Sequence, residues 1–239
     1  MDTVTLERDG ITATIALEGA YVTSLSDRSE PILYEKRTII MANGEQKVRG
    51  GMHVCLPQFG PGGTQTSLAQ HGFGRTLMWR IVDSAPQYVT LRLHDTLPQE
   101  YHALQAEITY QLTDSHEFKA TLTLQNTQHS LLRVAPGFHP YFYTNGERVE
   151  VDREVMYLEE LDPAHFKRSV QYLTLQERKI ALASPKLGVW ALWSDNKGEY
   201  VCLEPTLAGF SFQNHQESLP EEELQPHASR SYDFTFSWR

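Results

Sequence analysis

Alternation of apolar and polar residues with a period of two is the feature of this sequence that most constrains its fold. In ITATIAL, residues 11–17, every second residue from Ile11 onward is apolar and threonines lie between them. The same pattern returns in VTLRLH (89–94) and in the C-terminal SYDFTFSW (231–238). Strands that bury one face and expose the other are typical of antiparallel sheets. Helical periodicity is scarce, so we predict an all-β fold, a large antiparallel β-sandwich whose sheets could be strongly curved.

Two further alternating segments predict a hairpin. EITYQLT (107–113) and FKATLTLQ (118–125) are separated by the turn-like sequence DSHE. Alternating runs of this length with a short polar connection are the usual sequence signature of two paired antiparallel strands.

Two polar segments have other patterns. DPAHFKRSVQYL (162–173) could begin a short helix near Asp162 with Pro163 in its first turn, and it could equally form a loop with one turn. PEEELQPHASR (220–230) is interpreted as an acidic surface loop between the last two strands.

The bulk properties exclude several classes of protein. The chain has 239 residues without an abrupt change of composition, so we treat residues 1–239 as one domain. A net charge of -9 argues against non-specific nucleic-acid binding. The sequence has no apolar run of about 18 residues and no signal-peptide pattern, so we expect a cytoplasmic protein without membrane partners, a monomer or weak dimer. Cys55 and Cys202 each precede a leucine and are expected to be buried, reduced thiols.

One Gly- and Pro-rich block, residues 48–75, is too long for an ordinary hairpin loop and is therefore a candidate functional loop. The glycine pair 50–51 permits a close backbone approach or a bulge. Arg49 and Arg75 bracket the block and could converge on an anionic or hydroxyl-rich ligand, because a guanidinium presents a planar fork of donors. Ordinary salt bridges to carboxylates are the alternative.

Two histidines lie within the same block. His71, between a glutamine and a glycine in QHGFGR, is interpreted as a donor to a ligand oxygen. His53 is a weaker candidate, because it lies in the strand-like MHVCL, where alternation alone could set the direction of its side chain.

A third histidine follows a Pro-Gly turn in APGFHPYFYT, residues 135–144. His139 there has aromatic neighbours, which suit the C–H faces of sugars, and imidazole is the side chain most readily used as a general acid at physiological pH. Glu204 follows the apolar residues 201–203. A carboxylate at the end of a buried strand is costly unless it is paired or employed, so Glu204 is the candidate base, and a core arginine is its alternative partner.

Four motifs, VRGGMHVCLPQFGP, QHGFGR, FHPYF and VCLEP, together resemble the aldose 1-epimerase (galactose mutarotase-like) superfamily in order and approximate spacing. The nearest resemblance is to hexose-6-phosphate mutarotases, also described as glucose-6-phosphate 1-epimerases. The early segment GAYVTSLSDRSEPILY is similar as well. The resemblance implies a β-supersandwich and a cofactor-free interconversion of the α and β anomers of an aldohexose or hexose 6-phosphate.

The resemblance also implies roles for single residues. His139 would be the general acid on the ring oxygen and Glu204 the general base on the anomeric hydroxyl. His71 and Arg75 would contact the sugar, and Arg49 is associated with the phosphate. Ring opening needs one proton removed from O1 and one delivered to O5. A carboxylate and an imidazole on opposite edges of the ring would suffice, with no metal.

The chain also departs from the family pattern, and other functions stay open. The family often has proline where this chain has His53, and TNGERVEVD after HPYFY lacks the aspartate-centred loop expected of the sugar-phosphate branch. A non-catalytic carbohydrate-binding protein is the main alternative. A metal-dependent enzyme using His53, His71, His139 and Glu204 is another, although their wide sequence separation matches no compact ligand spacing.

Overall fold

A computed structural model of the chain describes residues 2–41, 43–64, 66–113, 116–176 and 178–239. Over these residues the chain forms two large antiparallel sheets and two short two-stranded ribbons, which confirms the predicted all-β sandwich. None of the helices within these ranges is long and apolar enough to span a membrane.

The strands of the described chain are short to medium in length. In chain order they are β1 Thr3–Arg8, β2 Ile11–Ala16, β3 Tyr21–Asp27, β4 Glu30–Pro31, β5 Arg37–Ile40, β6 Gln46–Arg49, β7 Met52–Cys55, β8 Trp79–Ala85, β9 Tyr88–Leu93, β10 Leu104–Leu112 and β11 Glu117–Asn126. They continue as β12 Leu132–Arg133, β13 Gly137–Tyr143, β14 Arg148–Val151, β15 Glu154–Tyr157, β16 His165–Lys167, β17 Tyr172–Leu175, β18 Arg178–Ala183, β19 Val189–Trp193, β20 Tyr200–Thr206, β21 Glu223–Leu224 and β22 Ser229–Trp238. The helical segments are the α-helix α1 Ser211–Asn214 and 3-10 turns at Gln99–Tyr101, Leu158–Glu160 and Pro220–Glu222.

The two large sheets pack face to face over a shared core. The first has the strand order β1-β2-β3-β7-β13-β20-β19-β16, with β4 beside β3, and the second has the order β15-β14-β17-β18-β22-β11-β10-β9-β8. Aromatic side chains join them: the rings of Phe138 and Phe234 are 5.7 Å apart between centroids, and those of Phe142 and Phe236 are 5.2 Å apart. Strand β13 therefore gives alternate residues to the core and leaves the intervening ones for the opposite face.

The strand predictions from alternation are confirmed. In β2 the apolar positions Ile11, Ala13 and Ile15 are buried. The predicted hairpin is the antiparallel pair β10–β11, although residues 114 and 115 of its turn lie outside the described residues. The aromatic face of β22 is buried as predicted.

The helix alternative for residues 162–173 is wrong, and the interpretation of residues 220–230 as a surface loop is incomplete. Residues 162–173 contain no helix, because β16 pairs with β19 and the next strand, β17, pairs with β18, so sheet edges satisfy the backbone groups. The segment 220–230 is not simply a surface loop: Glu222 is fully buried and its carboxylate lies 2.8 Å from Arg133 Nε.

The double glycine makes the close backbone approach that was predicted. Gly50 and Gly51 have φ angles of +94° and +68°, a left-handed region that favours glycine. A Cβ atom on Gly51 would lie 2.1 Å from the carbonyl oxygen of Val22. The block 48–75 is thus only partly a loop, because this turn leads directly into β7.

Candidate functional site

The candidate site lies on the face of the first sheet that is turned away from the core. Strands β7, β13, β20 and β19 are adjacent there. Phe138 and Leu203 enter the core, so by alternation their neighbours His139 and Glu204 point to the opposite face. The same alternation in β7 directs His53 to that face, so its position in the strand alone explains the direction of its side chain.

His139 and Glu204 form a buried pair. Strand register sets Gly137 opposite Thr206 and Tyr141 opposite Cys202, which brackets His139 opposite the glutamate. His139 Nε2 and Glu204 Oε2 are 3.2 Å apart, and both side chains are almost fully buried.

The two groups therefore lie side by side, because the strand register sets them opposite each other on neighbouring strands. Their placement on opposite edges of a sugar ring stays a prediction. Within the described chain, His139 Nδ1 has no hydrogen-bond partner, and Glu204 Oε2 has only His139 Nε2, at 3.2 Å. Buried polar atoms are nearly always bonded, so this pair has bonding capacity left for a ligand.

Burial sets the protonation of this pair. It raises the pKa of the Glu204 carboxyl well above its ordinary value. It lowers the pKa of the His139 imidazole well below its ordinary value, and the neighbouring His53 and His71 lower it further. Both shifts disfavour charge, so the carboxyl keeps its proton and the imidazole is neutral, with a single ring N–H. Moving that proton to the imidazole would create a carboxylate base beside an imidazolium acid without changing the net charge.

His71 is held in one tautomer. Its Nδ1 accepts a hydrogen bond from the Gly60 backbone N–H at 3.2 Å, and Cys55 Sγ lies 3.3 Å from the same nitrogen. The ring proton therefore lies on Nε2, and the Gln70 side-chain amide, 3.3 Å away, can accept it only with its oxygen turned towards the ring. Burial, with a smaller effect of Arg75, lowers the pKa of His71 to about 3. His71 is thus a neutral hydrogen-bond donor at physiological pH, as the predicted ligand role requires.

His53 completes a cluster of three imidazoles. It pairs in register with His139, and the two rings are 4.7 Å apart between centroids. The ring of His71 is 5.1 Å from that of His139 and 5.7 Å from that of His53. Four residues that are far apart in sequence, these three and Glu204, therefore meet in space. Among the described residues, however, neither His53 nor His71 belongs to a group of three ligand atoms close enough to share a metal ion, so a metal site made of these four residues is not supported.

The two arginines that were predicted to converge on a ligand have different partners. Arg49 makes the ordinary salt bridge that was its alternative: its Nε and Nη2 atoms both lie 2.9 Å from Asp195 Oδ2. The Tyr200 hydroxyl donates to the other oxygen of Asp195. Arg75 donates from Nη2 to the Gln70 carbonyl at 3.1 Å. Both arginines also line the cleft described next.

A cleft of about 780 Å³ opens above the pair, within the size range of small-molecule sites. All five predicted site residues line it, together with His53. The sequence reasoning missed most of its aromatic wall and its lysines: Tyr21, Lys36, Lys47, Phe59, Tyr141, Trp193 and Phe210. Strand alternation could have predicted that Tyr141 faces the cleft, because it is two residues beyond His139 on the same strand.

The comparison with known families is consistent with this geometry. The family model described as aldose 1-epimerase matches residues 2–182 of the chain. The chain belongs to the aldose 1-epimerase family. This aldose 1-epimerase family member is 32% identical over 120 residues to a protein of Escherichia coli strain K12 provisionally named glucose-6-phosphate 1-epimerase. That match covers 50% of the chain and 35% of the relative.

A second relative, from Cenchrus ciliaris and with the same provisional name, is 29% identical over 167 residues. This match covers 62% of the chain and 50% of the relative, so the matches span half or less of these two proteins.

Solved structures agree on the fold. The Slr1438 protein from Synechocystis sp. PCC 6803 superposes with a TM-score of 0.79 at 20% identity, covering 99% of this chain and 95% of that one. A galactose mutarotase-like protein from Lactobacillus casei ATCC 334 gives 0.77 at 17% identity and covers both chains completely. The aldose 1-epimerase family member therefore has the galactose mutarotase-like supersandwich fold.

Proposed function

We propose that this protein is a mutarotase, which interconverts the α and β anomers of an aldohexose or hexose 6-phosphate without a cofactor. The observation that carries the proposal is the buried pair of His139 Nε2 and Glu204 Oε2, 3.2 Å apart beneath a cleft of sugar size. O1 and O5 of a pyranose are both bonded to C1. An acid and a base that lie close together, as these two do, can therefore reach both oxygens.

The proton transfers balance within the pair. With the shared proton on the imidazole, Glu204 removes the O1 proton while His139 protonates O5, and the C1–O5 bond breaks to give the open-chain aldehyde. Rotation about C1–C2 exposes the other face of the carbonyl. His139 then takes the O5 proton as O5 attacks C1, and Glu204 returns its proton to O1. The enzyme regains its starting protonation, and no electron is gained or lost.

The rest of the cleft supports sugar binding. The Nε2–H of the neutral His71 and the guanidinium of Arg75 are donors for ring hydroxyls, and both residues line the cleft. Tyr141, whose ring stacks on that of His139 at 4.7 Å, and Trp193 provide apolar faces for C–H groups. Aromatic surface with a few oriented donors is the usual composition of a small-molecule pocket.

The charged residues of the cleft do not by themselves indicate that the ligand carries a phosphate. Lys36, Lys47, Arg49 and Arg75 line it, and so do the acidic residues Glu18, Glu45, Asp162 and Glu204. Specificity for a 6-phosphate therefore depends on single contacts, for which Arg49 is the proposed residue.

Mutarotation kinetics test the proposal. Freshly dissolved α-anomers of glucose, galactose and their 6-phosphates should relax faster with the enzyme than in buffer, followed by polarimetry or NMR. Acceleration of at least one sugar is the expected result. Sugar binding in calorimetry, with relaxation at the buffer rate for all four, would instead make the protein a non-catalytic carbohydrate-binding module.

Arg49→Ala should separate phosphorylated from free sugars. Loss of a charge-assisted hydrogen bond, about 1.5–3 kcal/mol, predicts a fall in kcat/KM of roughly 10- to 150-fold for the 6-phosphate and little change for the free hexose. Asp195→Asn is the matched control, because it breaks the same ion pair and keeps the guanidinium. If free and phosphorylated sugars lost activity equally in Arg49→Ala, the residue would not be the phosphate contact.

A further inference from the structure

A thiol lies next to the His139–Glu204 pair and has no part in the proposed reaction. Cys202 is two residues before Glu204 on β20, so both side chains point to the same face, and its register partner Tyr141 is two residues from His139. One ligand atom from each of His139, Cys202 and Glu204 can be chosen so that all three lie within 4.8 Å of one another. All three side chains are buried, and Cys202 is a free cysteine.

The distances among these three atoms are close to those of a metal site. Zn²⁺ binds nitrogen, oxygen and sulfur at about 2.0–2.3 Å, which puts neighbouring ligands of a tetrahedral ion about 3.3–3.8 Å apart. If the ends of the three side chains moved inward by about 1 Å, their ligand atoms would reach these separations.

The bonding capacity left on this pair provides a second observation. Among the described residues, His139 Nδ1 is buried without a hydrogen-bond partner, and Glu204 Oε2 has only His139 Nε2 within reach, at 3.2 Å. A cation would take a lone pair from each of the two side chains. A thiolate and a carboxylate would also neutralise a dication, which removes the main cost of burying charge at this depth.

We propose that His139, Glu204 and Cys202 form an inhibitory binding site for a divalent cation of the Zn²⁺ class. The donor set of one nitrogen, one oxygen and one sulfur suits Zn²⁺ or Co²⁺ rather than Mg²⁺ or Ca²⁺, which prefer oxygen ligands. Binding forms three coordinate bonds and leaves a fourth position on the cleft side for water. The Cys202 thiol proton and the Glu204 carboxyl proton pass to the buffer.

Inhibition follows from the shared ligands and rests on the proposed function. A metal on His139 and Glu204 takes the lone pairs that would accept protons from the sugar. Metal and sugar should therefore compete, so that Zn²⁺ raises the apparent KM for the sugar and higher sugar concentration restores the rate.

Co²⁺ titration of metal-free protein tests the site independently of catalysis. A thiolate ligand gives Co²⁺ a sulfur-to-metal charge-transfer absorption, which we expect in the wild type and which Zn²⁺ should displace. Cys202→Ser should abolish this band and weaken Co²⁺ binding by at least about tenfold. Cys202→Ala serves as a second variant if the serine protein folds poorly.

Cys55→Ser is the matched control, since Cys55 is a buried thiol on the same face that lies 3.3 Å from His71 Nδ1. It should keep the charge-transfer band. The exposed pair His129 and His227 could bind Co²⁺ too, but it has no sulfur and cannot give this signal. Absence of the band in wild type, or its loss in Cys55→Ser with retention in Cys202→Ser, would overturn the proposal. A band without any mutarotation would leave the metal site standing and remove the proposed function instead.

Discussion

Glu204→Gln should lower the kcat of mutarotation by about 10²- to 10⁴-fold, the usual contribution of general acid–base catalysis. The amide cannot take the O1 proton, so ring opening loses its base. The substitution should leave the fold intact, because burial already favours the uncharged form of this carboxyl and raises its pKa. Polarimetry of the preferred sugar measures the rate, and thermal unfolding checks the fold.

His139→Asn provides the companion measurement. Because the acid and the base act on two oxygens of one carbon in a single step, the double variant should be hardly slower than either single variant. Sugar affinity should survive in all three proteins, since His71 and Arg75 remain in the cleft. A Glu204→Gln protein with wild-type kcat would remove the glutamate from the mechanism, and fully multiplicative losses would mean that the two residues act in separate steps.

Much of this site was predictable from the sequence, because alternation in a strand determines which side chains share a face. His139 and Glu204 each neighbour an apolar residue that enters the core, so each had to face away from it. The same rule would have placed His53 and Tyr141 in the cleft. His53 was only a weaker candidate, because a single strand does not reveal which strands lie beside it.

Register and charge pairing could not be read from the sequence. The approach of His139 to Glu204 depends on how β13 slides along β20, and a shift of one residue would direct one of them into the core. The pairing of Arg49 with Asp195 joins residues 146 positions apart. The sequence of residues 162–173 has helix-start signals, but part of the segment pairs as a strand at the edge of the sheet. Tertiary contacts therefore override its local helix propensity.

The acidic segment 220–230 contributes to a structural ion pair that its sequence did not indicate. Arg133 Nε lies 2.8 Å from Glu222 Oε2, and the same oxygen accepts the Leu219 backbone N–H at 3.0 Å. The other guanidinium nitrogens donate to the carbonyls of Ser211 and His215, each at 3.2 Å. One arginine thus joins α1, which follows the cleft residue Phe210, to the turn that contains the glutamate.

Arg133→Met should lower the free energy of unfolding by about 3–5 kcal/mol, because it leaves a buried carboxylate without its cation. Glu222 has no solvent exposure, and its Oε1 atom has no hydrogen-bond partner within the described chain, so little else can compensate. Denaturant titration measures the change as a lower midpoint with an unchanged slope. The substitution should affect stability rather than activity, because Arg133 is not among the residues that line the cleft.

Two controls separate burial of the pair from loss of a salt bridge in general. Arg92 pairs with Glu107 on the surface, where both side chains are more than a third exposed, so Arg92→Met should cost no more than about 1 kcal/mol. The double variant Arg133→Met and Glu222→Met also removes the buried carboxylate that lost its partner, so it should recover much of the lost stability. If Arg133→Met were no more destabilising than Arg92→Met, the buried pair would contribute no more than a surface one, and the anchoring of α1 would have to come from the backbone contacts of this segment.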